Sequence, residues 1–106
     1  MRVNGQINRR RFGKMIVNYY ATLRQVVGSR EVDFILPQGS TLRQLVQEMV
    51  KRYPGLKMEM LDQQGNLYGH IHIFVNGRDS TFLDGSLDSI LEPQDTISIF
   101  PPVGGG

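Results

Sequence analysis

Glu31–Gly55, EVDFILPQGSTLRQLVQEMVKRYPG, contains a strand, a stop, a helix and a second stop in one continuous run. Val32, Phe34 and Leu36 alternate with Glu31, Asp33 and Ile35, and that period of two sends one set inward and the other outward on a strand. Pro37-Gln38-Gly39 ends the strand. Thr41 and Gln44 then stand at capping-box spacing, so the Thr41 hydroxyl can accept from the Gln44 amide while the Gln44 side chain reaches back. Leu42, Leu45, Val46, Met49, Val50 and Tyr53 follow as one apolar stripe, with Arg43, Gln44, Gln47, Glu48 and Lys51 on the wet side. Pro54-Gly55 stops the helix. Each side chain of the stripe is worth about 1.5–3 kcal/mol when fully buried, an upper figure because the unfolded chain already hides part of that surface.

On either side of this run the pattern is mostly β. Met15–Ala21 is β-rich, with Val17, Tyr19 and Ala21 on one face and Ile16, Asn18 and Tyr20 on the other. Gly28-Ser29 breaks the chain, so this strand and Glu31–Leu36 should pair as an antiparallel hairpin with a long loop. After the helix, Leu56–Leu61 suits a further helical turn and Asp62–Asn66 a loop. His70–Asn76 alternates again, with Ile71, Ile73 and Val75 inward, and Asn76-Gly77 is a hairpin-turn pair. A short strand fits Asp79–Leu83, and a single helical turn fits Leu87–Leu91. Glu92-Pro93-Gln94-Asp95 turns the chain into a last strand, Thr96–Phe100, with Ile97 and Ile99 inward. The order is β-β-α-β-β-β, an α+β fold in which a mixed sheet packs on one main helix.

The chain's 106 residues, 40% hydrophobic and 21% charged, suit one globular domain. Zero cysteines exclude disulfides, thiolate metal sites and a thiol nucleophile supplied by this chain. The formal charge of +2 is unevenly spread: Arg2, Arg9, Arg10, Arg11 and Lys14 put five positive charges and no acid into residues 1–14. From Met15 onward seven Lys or Arg face ten Asp or Glu, a net of −3, which gives the domain no basis for binding nucleic acid. Residues 1–14 lack hydrophobic periodicity and read as a disordered basic arm ahead of a domain at 15–100. Asn8–Lys14 loosely resembles a twin-arginine export signal, but Asn18, Tyr19 and Tyr20 interrupt the apolar core such a signal needs. No apolar run reaches the roughly 18 residues of a membrane span, and the expectation is a cytoplasmic protein without membrane contact.

The sequence closes on Phe100-Pro101-Pro102-Val103-Gly104-Gly105-Gly106. Two prolines fix φ and remove two N–H donors, so residues 101–106 should leave the sheet as an extended tail. Fully extended, that tail reaches roughly 20 Å at about 3.3 Å per residue. Glycine has no Cβ, so its end is thin enough to thread a narrow channel.

Ile99–Gly106, with Tyr20-Ala21-Thr22-Leu23-Arg24, Tyr53-Pro54 and Val75-Asn76-Gly77, resembles the ubiquitin-like β-grasp sulfur carriers, of the molybdopterin synthase small subunit and thiamine sulfur carrier type. The resemblance covers about Met15 to Gly106 and has no counterpart for the basic arm. It implies a carrier, not an enzyme in itself, whose Gly106 carboxylate an E1-like adenylating partner activates with ATP. A persulfide sulfur would then displace AMP to leave a thiocarboxylate for a sulfur-accepting synthase subunit, with molybdenum cofactor synthesis the leading pathway. Thiamine, cysteine and tRNA thiolation are alternatives, as is conjugation to a target lysine as a protein modifier. Gly104 and Gly105 would enter the partner's active site, while Phe100, Pro101, Pro102 and Val103 would bind the partner. No bound cofactor and no metal are implied. A third possibility is a plain β-grasp interaction module, since fold does not fix function.

His70 and His72 share a two-residue spacing and, on the strand reading, one face, but no third ligand completes a metal site. Phe74, Phe82 and Phe100 default to core packing, although an exposed Phe100 beside Pro101 would make a docking patch. Asp84, Asp88, Glu92 and Asp95 read as a solvated acidic surface able to steer a basic partner.

Overall fold

The computed structural model describes residues 11–102. In chain order the elements are β1 (Phe12–Tyr19), α1 (Thr22–Val27), β2 (Glu31–Pro37), α2 (Leu42–Arg52), α3 (Leu56–Met60), β3 (His72–Val75), β4 (Arg78–Asp79) and β5 (Thr96–Phe100). Short 3₁₀ turns at Ser80–Phe82 and Ser86–Asp88 lie between β4 and β5.

Among the described residues the strands form one five-stranded sheet in the order β2-β1-β5-β3-β4. β1 and β5 run parallel at its centre, with Val17 opposite Ile97 and Tyr19 opposite Ile99. The remaining pairings are antiparallel: β1 with β2, β5 with β3 and β3 with β4. Alternation places Met15, Val17, Tyr19, Val32, Phe34, Leu36, Ile73, Val75, Ile97 and Ile99 on the buried face. Leu42, Leu45, Val46 and Met49 of α2 join the same core, with Val50 and Tyr53 half-buried at its margin. The Thr41–Gln44 capping box forms in both directions, with the Gln44 amide 3.1 Å from Thr41 Oγ1 and the Thr41 amide 2.8 Å from Gln44 Oε1.

Asn76 and Gly77 both take positive φ, 53° and 85°, which suits the two-residue connection between β3 and β4. Asn76 also registers the last strand through its side chain: Oδ1 accepts from the Thr96 amide at 2.9 Å and Nδ2 donates to Asp95 Oδ1 at 2.8 Å.

Four expectations are corrected. β1 begins at Phe12, so residues 12–14 belong to the sheet and not to the arm; Gly13 is buried in phase with Met15 and packs against Pro93, where a Cβ would come within 2.9 Å. The rest of the proposed arm, residues 1–10, lies outside the described residues. The β1–β2 connection carries a helix, α1, that buries Leu23, in place of an open loop. The strand expected at Asp79–Leu83 stops after Asp79, whose carboxylate accepts from the Thr81 amide and hydroxyl and folds the chain into a 3₁₀ turn. The helical turn expected at Leu87–Leu91 is the 3₁₀ turn at Ser86–Asp88, tied to α2 by an Arg43–Asp88 ion pair at 2.9 Å.

Candidate functional site

β5 is a central strand, and its last residue, Phe100, points away from the helices. Inward-facing Ile97 and Ile99 are wholly buried, so the strand is anchored from beneath while its outer face stays accessible. There the Phe100 ring stacks on Tyr20 at 4.2 Å between centroids and 14° between planes. Phe74 meets Phe100 edge-on at 5.5 Å and 83°. The Tyr20 amide donates to the Ile99 carbonyl at 3.3 Å, so backbone and side chain of one residue both grip the end of β5.

Beside this aromatic cluster opens a groove of about 630 Å³, lined by His72, Phe74, Asp79, Ser98, Phe100, Pro101 and Pro102 with Gly77. Register explains the lining: His72 is the cross-strand partner of Phe100, and Asp79 that of Phe74. Hydrogen bonds from the Thr81 amide and hydroxyl hold the Asp79 carboxyl below its usual range, with His72 adding a smaller pull in the same direction. The floor is therefore apolar and aromatic, the rim carries an imidazole and a carboxylate, and the lining holds no amine or thiol. Such an apolar, aromatic surface with a polar rim is suited to docking another protein.

Of the residues expected to bind a partner, Phe100, Pro101 and Pro102 come together in this groove. Val103, and with it Gly104, Gly105 and Gly106, lies outside the described residues. The core default for the phenylalanines is corrected, because Phe74 and Phe100 are half-buried on the outer face and Phe82 is 71% exposed on a 3₁₀ turn. The shared face for the histidines is also corrected: His70 precedes β3 and stacks on Tyr68 at 5.0 Å, whereas His72 faces the groove. Among the described residues no group of three or more His, Asp or Glu side chains could hold a metal ion. None of their helices is long and apolar enough to cross a membrane. Residue-by-residue reading missed Tyr20 and Asp79 as site residues; the available signal was the outward phase that Tyr20 shares with Ile16 and Asn18, just past the end of β1.

A central parallel strand pair, antiparallel flanks, one main helix across the sheet and an outgoing segment from the middle strand define a ubiquitin-like β-grasp domain. The chain belongs to the ThiS family, whose model matches residues 17–106. It is 30% identical over 90 residues to small archaeal modifier protein 3 of Haloferax volcanii, a match spanning 85% of this chain and 96% of that one. The crystal structure of SAMP1 from Haloferax volcanii superposes with a TM-score of 0.80 at 30% identity, covering 89% of this chain and 100% of the other. A putative molybdopterin converting factor, subunit 1, from Pyrococcus furiosus gives a TM-score of 0.69 at 34% identity, covering 86% and 99%. The chain is thus a small ubiquitin-like carrier protein of the β-grasp sulfur-carrier group.

Proposed function

We propose that the Gly106 carboxylate is the chain's working group and that it carries sulfur, with molybdenum cofactor synthesis as the pathway. A carboxylate is a poor acyl donor because its leaving group would be oxide. An adenylating enzyme removes that obstacle: the carboxylate oxygen attacks the α-phosphorus of ATP, pyrophosphate leaves, and Gly106 becomes an acyl adenylate. The terminal sulfur of a donor protein's persulfide then attacks the acyl carbon and expels AMP, forming an acyl disulfide. A second thiol reduces that disulfide and releases the Gly106 thiocarboxylate, a nucleophilic sulfur for the accepting synthase subunit. All thiols in this sequence come from partners, in keeping with a chain that has no cysteine. ATP belongs to the activating enzyme, and the carrier works in the cytoplasm.

The observation that carries the reading is the root of the outgoing segment. Pro101 and Pro102 leave from the centre of the sheet, out of a strand buried beneath and gripped above, and they line a groove shaped for a partner. That arrangement supports a reading in which a partner docked at the groove receives the residues that follow Pro102. Incubation with an adenylating enzyme, ATP and a persulfide donor should raise the intact mass by the exchange of one oxygen for sulfur. An unchanged mass overturns the proposal.

A second reading, conjugation of Gly106 to a lysine amine, is favoured by the likeness to the Haloferax volcanii small archaeal modifier protein 3. It uses the same adenylate and differs only in the nucleophile. Branched lysine peptides bearing the chain's C-terminal residues in a cell digest would support it, and their absence would leave sulfur transfer alone.

A further inference from the structure

The end of β5 is gripped by more than its own ladder. Tyr20 lies just beyond β1, and its ring covers Phe100 while its amide bonds the preceding carbonyl, Ile99 O. Directly after it, Ala21 sits at φ 52° and ψ −127°, a conformation that a residue with a Cβ avoids and that persists only where its surroundings impose it. Arg24, on the first turn of α1, then reaches back: its Nε donates to the Tyr19 carbonyl at 3.2 Å and its guanidinium lies 5.8 Å from the Tyr20 ring centre. The order of contact is Arg24, Tyr20, Phe100, Phe74.

We propose that Tyr20, steadied by Arg24, is a positioning residue for the C-terminal group: it presses Phe100 against β3 and so sets the direction in which Pro101 leaves the sheet. This rests on the carrier reading above. With Phe100 clamped and the proline φ fixed, Pro101 and Pro102 leave the groove along one line, which narrows the volume that the C-terminal group has to search. A misdirection of about 1 Å at a reacting atom costs up to roughly a hundredfold in rate. Loss of the clamp should therefore weigh more on the chemical step than on docking, because Tyr20 itself does not line the groove and Phe100 stays there to be contacted.

Two measurements on Tyr20→Leu, Tyr20→Phe and Arg24→Gln test this, each variant being checked by thermal melting. The first needs no partner: ¹³Cα relaxation of Pro101 should give an order parameter near the roughly 0.85 of rigid backbone in the wild type and Tyr20→Phe, falling toward about 0.6 in Tyr20→Leu. Equal order in the Leu variant overturns the proposal. The second is pyrophosphate exchange with the adenylating enzyme: Tyr20→Leu should lower kcat about tenfold with KM for the carrier within about twofold, Arg24→Gln should fall between, and Tyr20→Phe should match the wild type. A raised KM with kcat intact makes Tyr20 a docking residue and overturns positioning. If the wild type itself supports no exchange, the carrier reading fails, and the Pro101 relaxation still decides whether the clamp exists.

Discussion

The two faces of β5 do different work with neighbouring residues. Ile97 and Ile99 point inward and are wholly buried among apolar side chains from β1, β3 and α2, whereas Ser98 and Phe100 point outward and stay half-exposed. The inner face is held by exclusion of water, the outer by ring geometry at the root of the outgoing segment. Stability and presentation of the terminus are therefore separable at adjacent positions. The sharpest break is Ile99→Ala, which leaves a cavity under the strand end and should cost about 2–5 kcal/mol in urea unfolding. Any loss of partner-dependent activation in that variant should track the unfolded fraction.

Phe100→Ala tests the other face. It removes one stacked and one edge-on contact, each worth about 0.5–1.5 kcal/mol, so the stability loss should be about 1–3 kcal/mol and stay below that of Ile99→Ala. Activation by an adenylating enzyme should nevertheless fall at least about tenfold in the fully folded variant, by the same geometric argument as for Tyr20. If the two substitutions cost equal stability, or if activity follows stability alone in both, the division between the faces is wrong.

What could be read in the sequence follows the same division. The α2 stripe, its capping box, the alternation of Val32, Phe34 and Leu36, and the inward Ile71, Ile73, Val75, Ile97 and Ile99 all appear in the structure as read. Each is a local period imposed by one buried face, which a linear sequence displays directly. The groove was legible only in part. Phe100, Pro101 and Pro102 were read as partner-binding, but His72, Phe74 and Asp79 join them through cross-strand register, and no local period records which strands become neighbours. α1 went unread for a related reason: its N-cap is Ala21, with a positive φ and no side-chain cap, and at six residues it is too short to display an apolar stripe. The Phe12–Lys14 extension of β1 was hidden by Gly13, whose place in the strand depends on a distant residue, Pro93.

The inner face has one exception to its apolar character, and it gives a smaller effect of opposite sign. The Tyr19 ring is wholly buried, edge-on to Tyr53 at 6.4 Å, and its hydroxyl finds no hydrogen-bond partner among the described residues. Burial, then the nearby Tyr53 phenol, pushes its pKa far above the usual tyrosine range, against a weaker opposing pull from Arg52. A buried hydroxyl without a partner costs about 1–3 kcal/mol of desolvation that the ring's packing must offset. Tyr19→Phe keeps the ring and removes that cost, so the urea midpoint should rise by an amount worth up to about 1 kcal/mol. A fall in the midpoint would mean that the hydroxyl is hydrogen-bonded in solution.

The smallest expected effect lies at the end of β4 and in the connection that follows it to β5. Asp79 accepts from the Thr81 amide and hydroxyl, and Asp88 accepts from Arg43; each carboxyl is held below its usual range by those bonds. The unfolded chain, with ordinary Asp pKa values near about 3.9, then binds more protons than the folded one as pH drops. Both groups contribute stability that is fully present above about pH 4 to 5 and is lost as pH falls through their folded values. Both sit in water, so the contribution is small and salt weakens the Arg43–Asp88 part further. Thermal midpoints recorded between about pH 2 and 5 should therefore fall with acid less steeply in Asp79→Asn than in the wild type, with Asp88→Asn flattening the curve at low salt only. The Asp79 difference should persist at high salt, because hydrogen bonds to one's own turn are screened less than an exposed ion pair. Identical slopes in the wild type and Asp79→Asn would mean that the turn after β4 does not distinguish the two protonation states. The Asp79 rim of the groove would then owe its position to the β3–β4 ladder alone.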